Sequence, residues 1–547
     1  MLPVMLRKLW AATLTAAFVL SPAVPARADV YHAKPKLVII LVLDQFRGDY
    51  LDRYRDDFKT PSGFNLFLNH GAYFPGCYYN YANTMTAPGH SSIGTGAYTA
   101  GHGISLNEWW DLKRSTTHPV SSVEDEDYQV VGDHAPDDLG TSPRNELAST
   151  LGDEVVLASR GQSKLFGISL KDRAAILTSG HASNGAFWLD HASGHFVTST
   201  YWDKTLPAWV STFNGSGRTE KASAEAKARP GHFYDDVGAS PASVSYLLDF
   251  AQALITSEKM GAHPSTDVLT ISISSTDILG HRVGPDSPEQ RAMIDATDVD
   301  LNTFFTWLDH HVDGGLGNVW IALTADHGIG PTIPAAAADG MPAATFDLHK
   351  VFASVETRLN AQHSAGKNMK YLLPSELPYV TLDPRAFAGA GVAEKDAEAE
   401  VARLLPDAFQ ASLAAVTGRL PTRAALRGVY TKIEMAAGNV PRTPYGERVL
   451  NSYSPNGEWY VMITPAMYEQ GQAKGTNHYT PWSYDRHVPL AFFGSAFKSG
   501  TYIQQVEPVD IATTFAALLR VNRPSAAVGH VLTFALKPDA QPSPAAF

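Results

Sequence analysis

Asp277-Ile278-Leu279-Gly280-His281-Arg282-Val283-Gly284-Pro285, together with Asp326-His327-Gly328 further along the chain, decides the fold prediction. Each stretch pairs an acidic residue with a histidine, and each follows a hydrophobic run, Val268–Ser274 or Val319–Thr324. An α/β sheet brings the carboxyl ends of its parallel strands to one crevice and places its active site there. The two stretches therefore predict an α/β fold whose mostly parallel central sheet is flanked by helices.

Two further residues extend this set of polar side chains. A third hydrophobic run, Lys36–Leu43, ends at Asp44, and the later segment Gly475-Thr476-Asn477-His478 supplies another histidine. Carboxylate and imidazole groups suit zinc or a similar divalent ion. The set is large enough for two metal ions, and two-metal sites usually serve phosphoryl transfer or hydrolysis.

The N-terminus has the features of a cleaved signal peptide. Arg7 and Lys8 precede an apolar run from Leu9 to Leu20, and Ala26-Arg27-Ala28 fits a cleavage site. An uncleaved membrane anchor is the alternative, but the run is shorter than the roughly 20 residues that a span requires. We therefore expect residues 1–28 to be removed after Ala28, no membrane span afterwards, and a periplasmic or secreted protein.

Composition excludes several classes of protein. An apolar content of 44% and a charged content of 18% are typical of a folded globular chain. Removal of residues 1–28 leaves 40 basic and 55 acidic side chains, a net charge of −15, so nucleic-acid binding is not expected. The single cysteine, Cys77, permits no internal disulfide, which suits an exported bacterial protein stabilised by its core.

The spread of the motifs along 547 residues indicates one core with insertions. We predict a catalytic α/β core from 29–330 and 475–536, with cap or loop insertions at about 112–260. The 331–474 segment contains a helical stretch, Glu394–Val416, and a strand-like stretch, Pro378–Leu382, and is predicted to be an inserted α+β subdomain. Residues 537–547 are predicted to be a flexible tail.

Thr86 is a candidate nucleophile. The segment Asn83–His90 is predicted to be a turn that enters a helix, with Pro88 in the first helical turn. A hydroxyl at a helix start lies where backbone N–H groups and the helix dipole favour a phosphate, although it needs activation, for example by a metal ion. A plain N-cap is the alternative role, Thr84 is a rival nucleophile, and His90 is not expected to be a ligand.

These motifs together resemble the alkaline phosphatase superfamily. The resemblance rests on Asp44, on Thr86 before Ala-Pro-Gly-His, on the two acid–histidine stretches and on the late His478. Their order and spacing are similar to the nucleotide pyrophosphatase/phosphodiesterase branch. Asn107 and Lys171-Asp172-Arg173 resemble the phosphate-irrepressible alkaline phosphatases that use a threonine nucleophile. An alkaline-phosphatase-like core is therefore expected.

The resemblance implies two zinc ions per chain. It implies one set of ligands on the first zinc, namely Asp277, His281 and His478. It implies a second set on the other zinc, namely Asp44, Asp326, His327 and the oxygen of Thr86.

Asn107, Lys171 and Arg173 are expected to contact the phosphoryl oxygens that the metal ions do not hold. A monoester dianion has one more unsubstituted oxygen than a diester, and a Lys/Arg pair supplies charge and directional donors to it. Without the resemblance, a Lys-Asp-Arg triplet is more often a solvated turn.

The sequence therefore predicts an exported, zinc-dependent alkaline phosphatase that hydrolyses small-molecule phosphate monoesters through a covalent phospho-threonine. A monomer is expected. One alternative is a phosphodiesterase or nucleotide pyrophosphatase on the same scaffold. A second alternative is a non-catalytic metal-binding protein, which would have lost a ligand or the nucleophile.

Overall fold

Ten strands form the central sheet around which the chain is built. In order across the sheet they are Gly500–Thr501, Ala72–Tyr78, His487–Phe493, Val319–Thr324, Leu37–Leu43, Asp267–Ile273, Leu165–Ser169, Gly185–Leu189, Phe196–Ser199 and Val130–Val131. The five strands from Val319–Thr324 to Gly185–Leu189 are mutually parallel. The antiparallel pairings lie towards the two edges. This sheet confirms the predicted fold class.

The computed structural model describes residues 34–135, 138–364, 368–416, 420–471 and 474–540. The predicted signal peptide and the end of the predicted tail, 541–547, lie outside these residues. From Pro35 onward the chain clusters as one compact unit. Among the described residues, no helix has the length and hydrophobicity needed to cross a bilayer.

The central strands are apolar along their whole length because both of their faces are covered. Leu37–Leu43 reads Leu-Val-Ile-Ile-Leu-Val-Leu, and all seven residues are buried. Continuous runs of this kind are typical of parallel strands between two layers of helices. In register, Val42 pairs with Ser272 on one side and with Thr324 on the other. The segments that follow the three strands therefore begin next to one another.

Twenty α-helices surround the sheets in the described part of the chain. Those before the strand Val319–Thr324 are Tyr50–Arg53, Phe64–His70, Thr86–Thr95, Thr99–His102, Leu151–Ala158, Asp172–Ser179, Ala208–Asn214, Arg218–Ala226, Phe233–Asp236, Ala242–Glu258, Ser275–Val283 and Pro288–His311. Those after it are Ile333–Ala338, Leu348–His363, Pro384–Gly389, Glu394–Ser412, Lys432–Ala436, Pro444–Asn451, Ser483–Arg486 and Asp510–Leu519. Short 3-10 helices are Arg55–Asp57, Gly315–Asn318, Thr533–Ala535 and Pro538–Ala540.

The 331–474 segment contributes small sheets and most of a second hydrophobic cluster, which Ala82, Met85, Leu106 and Tyr479 join from outside the segment. One sheet orders its strands as Tyr379–Thr381, Tyr460–Pro465 and Leu426–Thr431, and another as Ala414–Ala415, Ala344–Thr345 and Glu469–Gln470. The helix expected to reach Val416 ends at Ser412, because the backbone becomes extended at Leu413 and the next two residues pair with Ala344–Thr345. The boundaries of a separate subdomain stay a prediction.

The 112–145 segment is a long connection with little regular secondary structure. It carries only two short described strands, Val120–Ser121 and Val130–Val131. The first of these pairs with Glu108–Trp109 and the second joins the edge of the central sheet. The connection therefore links the region after Thr86 to one edge of the sheet.

Candidate active site

The first cluster of candidate ligands is built on the helix Ser275–Val283. Asp277 and His281 are four residues apart, so they project from the same face of the helix. Asp277 Oδ1 lies 3.1 Å from His281 Nε2. His478 Nε2 arrives from the distant loop and lies 3.3 Å from His281 Nε2 and 3.7 Å from Asp277 Oδ1. The three atoms form a compact triangle of one oxygen and two nitrogens.

The second cluster lies at the ends of two adjacent central strands. Asp44 follows Leu37–Leu43, and Asp326 and His327 follow Val319–Thr324; all three side chains are fully buried. His327 Nε2 lies 3.6 Å from Asp44 Oδ1 and 3.4 Å from Asp326 Oδ2. The ring of His327 stacks on that of His478 with centroids 3.5 Å apart, so the two clusters adjoin.

Hydrogen bonds to backbone carbonyls orient all three candidate histidine ligands. His281 Nδ1 lies 2.9 Å from the carbonyl oxygen of Thr476, and His327 Nδ1 lies 3.0 Å from that of Gly328. His478 Nδ1 lies 2.7 Å from that of Thr84. A proton on Nδ1 that is donated to a carbonyl leaves Nε2 as the acceptor, the arrangement typical of metal-binding histidines.

The donors of the second cluster fit a divalent cation. Asp44 Oδ1, Asp326 Oδ2 and His327 Nε2 are buried atoms without a hydrogen-bond partner among the described residues. Buried polar atoms are rarely left unpaired in this way, so three of them converging on one point need a shared partner. A zinc ion accepts such a mixture of carboxylate oxygen and imidazole nitrogen.

Lys171 lies between the carboxylates of the two clusters. Its Nζ is 2.6 Å from Asp44 Oδ2 and 2.6 Å from Asp277 Oδ2, and the side chain is buried. Burial raises the pKa of Asp44 well above its ordinary value, and the charges of Asp277 and Asp326 add to this effect. Burial also acts to raise the pKa of Asp277, but Lys171 and the adjacent histidines outweigh it and hold that pKa well below its ordinary value. The ammonium therefore acts as a counter-charge for a crowded group of buried acids.

A cavity of about 490 Å³ opens over these clusters. Seven of the residues predicted from the sequence line it, namely Thr86, Asn107, Lys171, Arg173, Asp277, His281 and His478. The other three, Asp44, Asp326 and His327, are fully buried next to it. The structure thus brings all ten predicted residues to one place.

Thr86 is the first residue of the helix Thr86–Thr95, with Met85 as the N-cap, so it is not itself the cap. Asn107 Oδ1 accepts a hydrogen bond from the backbone N–H of Ala87 at 3.0 Å and fixes that amide beside the helix start. The rival residue Thr84 does not line the cavity, and its hydroxyl donates to the carbonyl of Thr480 at 3.0 Å. The geometry therefore favours Thr86 over Thr84 as the hydroxyl available to a substrate.

Arg173 lies on the helix that follows Lys171, which itself is the N-cap of that helix. Its nearest ion-pair partner among the described residues is the neighbouring Asp172, whose Oδ1 lies 3.6 Å from Arg173 Nη1. Its Nε is buried without a partner in the same part of the chain. The guanidinium therefore keeps donors available for a ligand in the cavity.

Comparison with known proteins places this chain in a family. The model of the type I phosphodiesterase / nucleotide pyrophosphatase family matches residues 38–438. The chain belongs to this family.

Relatives within it confirm the predicted likeness to the alkaline phosphatase superfamily. Alkaline phosphatase PafA of Elizabethkingia meningoseptica is 32% identical over 542 residues, covering 91% of this chain and 94% of the relative. Alkaline phosphatase PhoV of Synechococcus elongatus is 32% identical over 543 residues, covering 92% and 94%. The crystal structure of wild-type PafA matches with a TM-score of 0.81 and 31% identity, over 92% of this chain and 99% of that one.

Two further residues of this phosphodiesterase-family chain touch the candidate ligands and were given no role by the sequence analysis. Gln45 donates from its backbone N–H to Asp326 Oδ1 at 3.1 Å and from its side chain to Asp277 Oδ1 at 2.6 Å. His90 Nδ1 lies 3.3 Å from Asp326 Oδ2, and its Nε2 lies 2.8 Å from the hydroxyl of Ser272. The position of Gln45 directly after Asp44 could have predicted its contact with the candidate ligands. Nothing in the sequence predicted the contact that His90 makes with Asp326.

Proposed function

We propose that the protein is an exported, zinc-dependent hydrolase of phosphate monoesters that works through a covalent phospho-threonine. One observation carries the proposal: a single cavity presents the hydroxyl of Thr86, the cations Lys171 and Arg173, and the imidazoles of His281 and His478. The names of the two relatives, both alkaline phosphatases, support it.

Two groups of side chains would hold the metal ions. Asp277, His281 and His478 would hold one zinc, and Asp44, Asp326, His327 and the Thr86 oxygen the other. Bound there, zinc supplies Lewis-acid stabilisation of negative oxygens and lowers the pKa of a hydroxyl.

Thr86 performs the covalent chemistry in this proposal. Its Oγ forms a bond to phosphorus while the bond from phosphorus to the alcohol oxygen breaks, and the departing alcohol takes up a proton. Water then breaks the phospho-threonine, which releases phosphate and restores the hydroxyl. The helix Thr86–Thr95 favours a phosphate beside its first residue, because backbone N–H groups and the positive end of the dipole lie there.

Asn107, Lys171 and Arg173 hold the transferring group. A monoester transition state keeps charge on its nonbridging oxygens, and preorganised donors are most effective where that charge lies. Arg173 offers a planar fork of N–H donors, and Lys171 offers a point charge between the two ligand clusters. A diester carries a second substituent on one of these oxygens and so makes less use of the pair.

The test is a comparison of kcat/KM for an aryl phosphate monoester and the matching diester, with zinc supplied. We expect the monoester to be the better substrate by orders of magnitude. A preference for the diester would support the phosphodiesterase alternative, and no hydrolysis of either would support the non-catalytic alternative.

Export and a monomeric state belong to the same proposal. The charged and apolar pattern of residues 1–28 supports cleavage after Ala28. N-terminal sequencing of the protein recovered outside the cytoplasm tests the cleavage, and light scattering tests the oligomeric state.

A further inference from the structure

A second cavity, of about 300 Å³, lies beside the one that contains Thr86. Ser375 and Glu376 line both cavities, so the two spaces share a wall. The joined space is open to the alcohol portion of a phosphate monoester bound near Thr86. The second cavity is therefore a candidate location for the leaving group.

The walls of the second cavity come from two parts of the chain. Trp109 and Trp110, from the segment after Thr86, form one side, and Pro374–Glu376 from the 331–474 segment forms another. The two sides are joined, since Trp110 Nε1 donates to the carbonyl of Pro374 at 2.7 Å. Ser375 Oγ accepts from the backbone N–H of Thr381 at 2.9 Å and holds the second side in place. The cavity is thus a built feature with large aromatic side chains in its wall.

Two carboxylates face this space. Glu108 and Glu376 both line the cavity, and neither has an ion-pair or side-chain hydrogen-bond partner among the described residues. Desolvation raises the pKa of each carboxyl above its ordinary value. The charge of Glu108 adds to the effect at Glu376, while Arg173 opposes it at both. Glu108 and Glu376 are therefore close enough to interact electrostatically with each other and with Arg173.

Both side chains are exposed, and their negative charge acts on whatever occupies the joined space. They repel the phosphate dianion, so they do not assist the binding of that group. Carboxylates beside the alcohol portion favour substrate binding only if that portion carries hydrogen-bond donors or positive charge. Trp109 and Trp110 line the same cavity, and an indole ring attracts an organic cation that lies over its face.

We propose that the second cavity is a leaving-group subsite that selects amino-alcohol phosphates, whose alcohol portion carries an ammonium group, over phosphates of anionic alcohols. Glu108 and Glu376 are the specificity-determining residues. The inference rests on the proposed phosphomonoesterase function and names the substrate class for it.

The experiment measures kcat/KM of the zinc-loaded full-length protein at pH 8.5 on three monoesters. The probes are phosphoethanolamine, glycerol 1-phosphate and 3-phosphoglycerate, whose alcohol portions are cationic, neutral and anionic. The double variant Glu108→Gln/Glu376→Gln is compared with the unaltered protein, so that differences in intrinsic reactivity among the esters cancel. We expect the cationic-to-anionic ratio to fall about five- to tenfold, since each exposed charge contributes modestly. The rate on the neutral ester can rise with the loss of repulsion on the phosphate, and its change is expected to lie between the changes for the cationic and the anionic ester.

Asp407→Asn is the matched control, because this acid lies on the helix Glu394–Ser412 of the same segment and is 78% exposed. It is expected to leave the ratio unchanged. A second measurement needs no variant: raising the salt concentration should reduce the cationic-to-anionic ratio of the unaltered protein, because salt screens exposed charges. An unchanged ratio in the double variant, or a ratio insensitive to salt, would overturn the inference while monoester hydrolysis persists. Absence of hydrolysis of all three probes would instead overturn the proposed function.

Discussion

The side-chain oxygen of Gln45 occupies the space that a Cβ on Gly280 would need. Gln45 reaches this place with a left-handed backbone, at φ 63°, and its side-chain amide donates to Asp277 while its backbone N–H donates to Asp326. It thereby connects one candidate ligand of each cluster. A larger residue at Gly280 would require the Gln45 side-chain amide to move from this position.

Gly280→Ala is expected to reduce both bound metal and activity. The new methyl group displaces the Gln45 amide, and Asp277 loses a buried hydrogen bond of the kind that contributes about 1–3 kcal/mol. We expect roughly a tenfold or greater loss of kcat/KM with a lower metal content by elemental analysis. Gly317→Ala is the control, since a Cβ at that glycine meets no atom within 4 Å. Normal activity and metal content in Gly280→Ala would contradict the role assigned to the contact.

Thr86→Ala is expected to lose most activity while it keeps the fold and the bound metal. Removal of a nucleophilic hydroxyl from an enzyme that uses a covalent intermediate costs about 10³-fold or more in kcat. Thr84→Ala should cost much less, because the Thr84 hydroxyl bonds to the carbonyl of Thr480 and lies away from the cavity. Acid quenching with labelled substrate, followed by peptide mapping, identifies the modified residue. Label on Thr84, or on no residue, would show that the assignment is wrong.

The sequence predicted the central sheet and the convergence of the candidate ligands because both depend on local patterns. Apolar runs such as Leu37–Leu43 identify buried strands, and an acid or histidine after each run marks the edge where parallel strands end. The contact between Gln45 and Gly280 could not be predicted, since a left-handed backbone at a glutamine depends on tertiary packing and leaves no periodic signal. The second cavity, lined by Trp109 and Glu376, could not be predicted either, because its residues come together only in the folded chain.

Lys171→Ala/Arg173→Ala is expected to impair monoester hydrolysis far more than diester hydrolysis. Each lost charge-assisted contact to a phosphoryl oxygen is estimated to cost about 2–3 kcal/mol, or tens- to a hundredfold in rate. Measurement of kcat/KM on matched monoester and diester substrates checks the difference. Metal content must be measured in parallel, because Lys171 also contacts Asp44 and Asp277. Equal losses on the two substrates would assign the pair to structure or to metal retention.

A chelator is expected to abolish hydrolysis, and zinc is expected to restore it better than magnesium or calcium. The reason is the donor set, which mixes imidazole nitrogens with carboxylate oxygens. Asp326→Asn should lose metal as well as rate, because Asp326 Oδ2 is a buried carboxylate oxygen that lies 3.4 Å from His327 Nε2 in the second cluster. Full activity in protein shown by elemental analysis to be metal-free would contradict the two-zinc proposal.

Lys171→Met is expected to destabilise the metal-free protein more than the zinc-loaded protein. The ammonium of Lys171 lies 2.6 Å from Asp44 and from Asp277 and compensates buried carboxylates that otherwise repel one another. Removal of one partner of a buried ion pair typically costs about 3–5 kcal/mol. Bound zinc ions supply positive charge at the same carboxylates, so the loss of Lys171 should then matter less. The measurement is the Tm of both proteins with and without zinc, with Lys350→Met as the control, since that lysine is 76% exposed. If Lys171→Met lowered the Tm equally with and without zinc, Lys171 and the metal ions would not be compensating the same carboxylates.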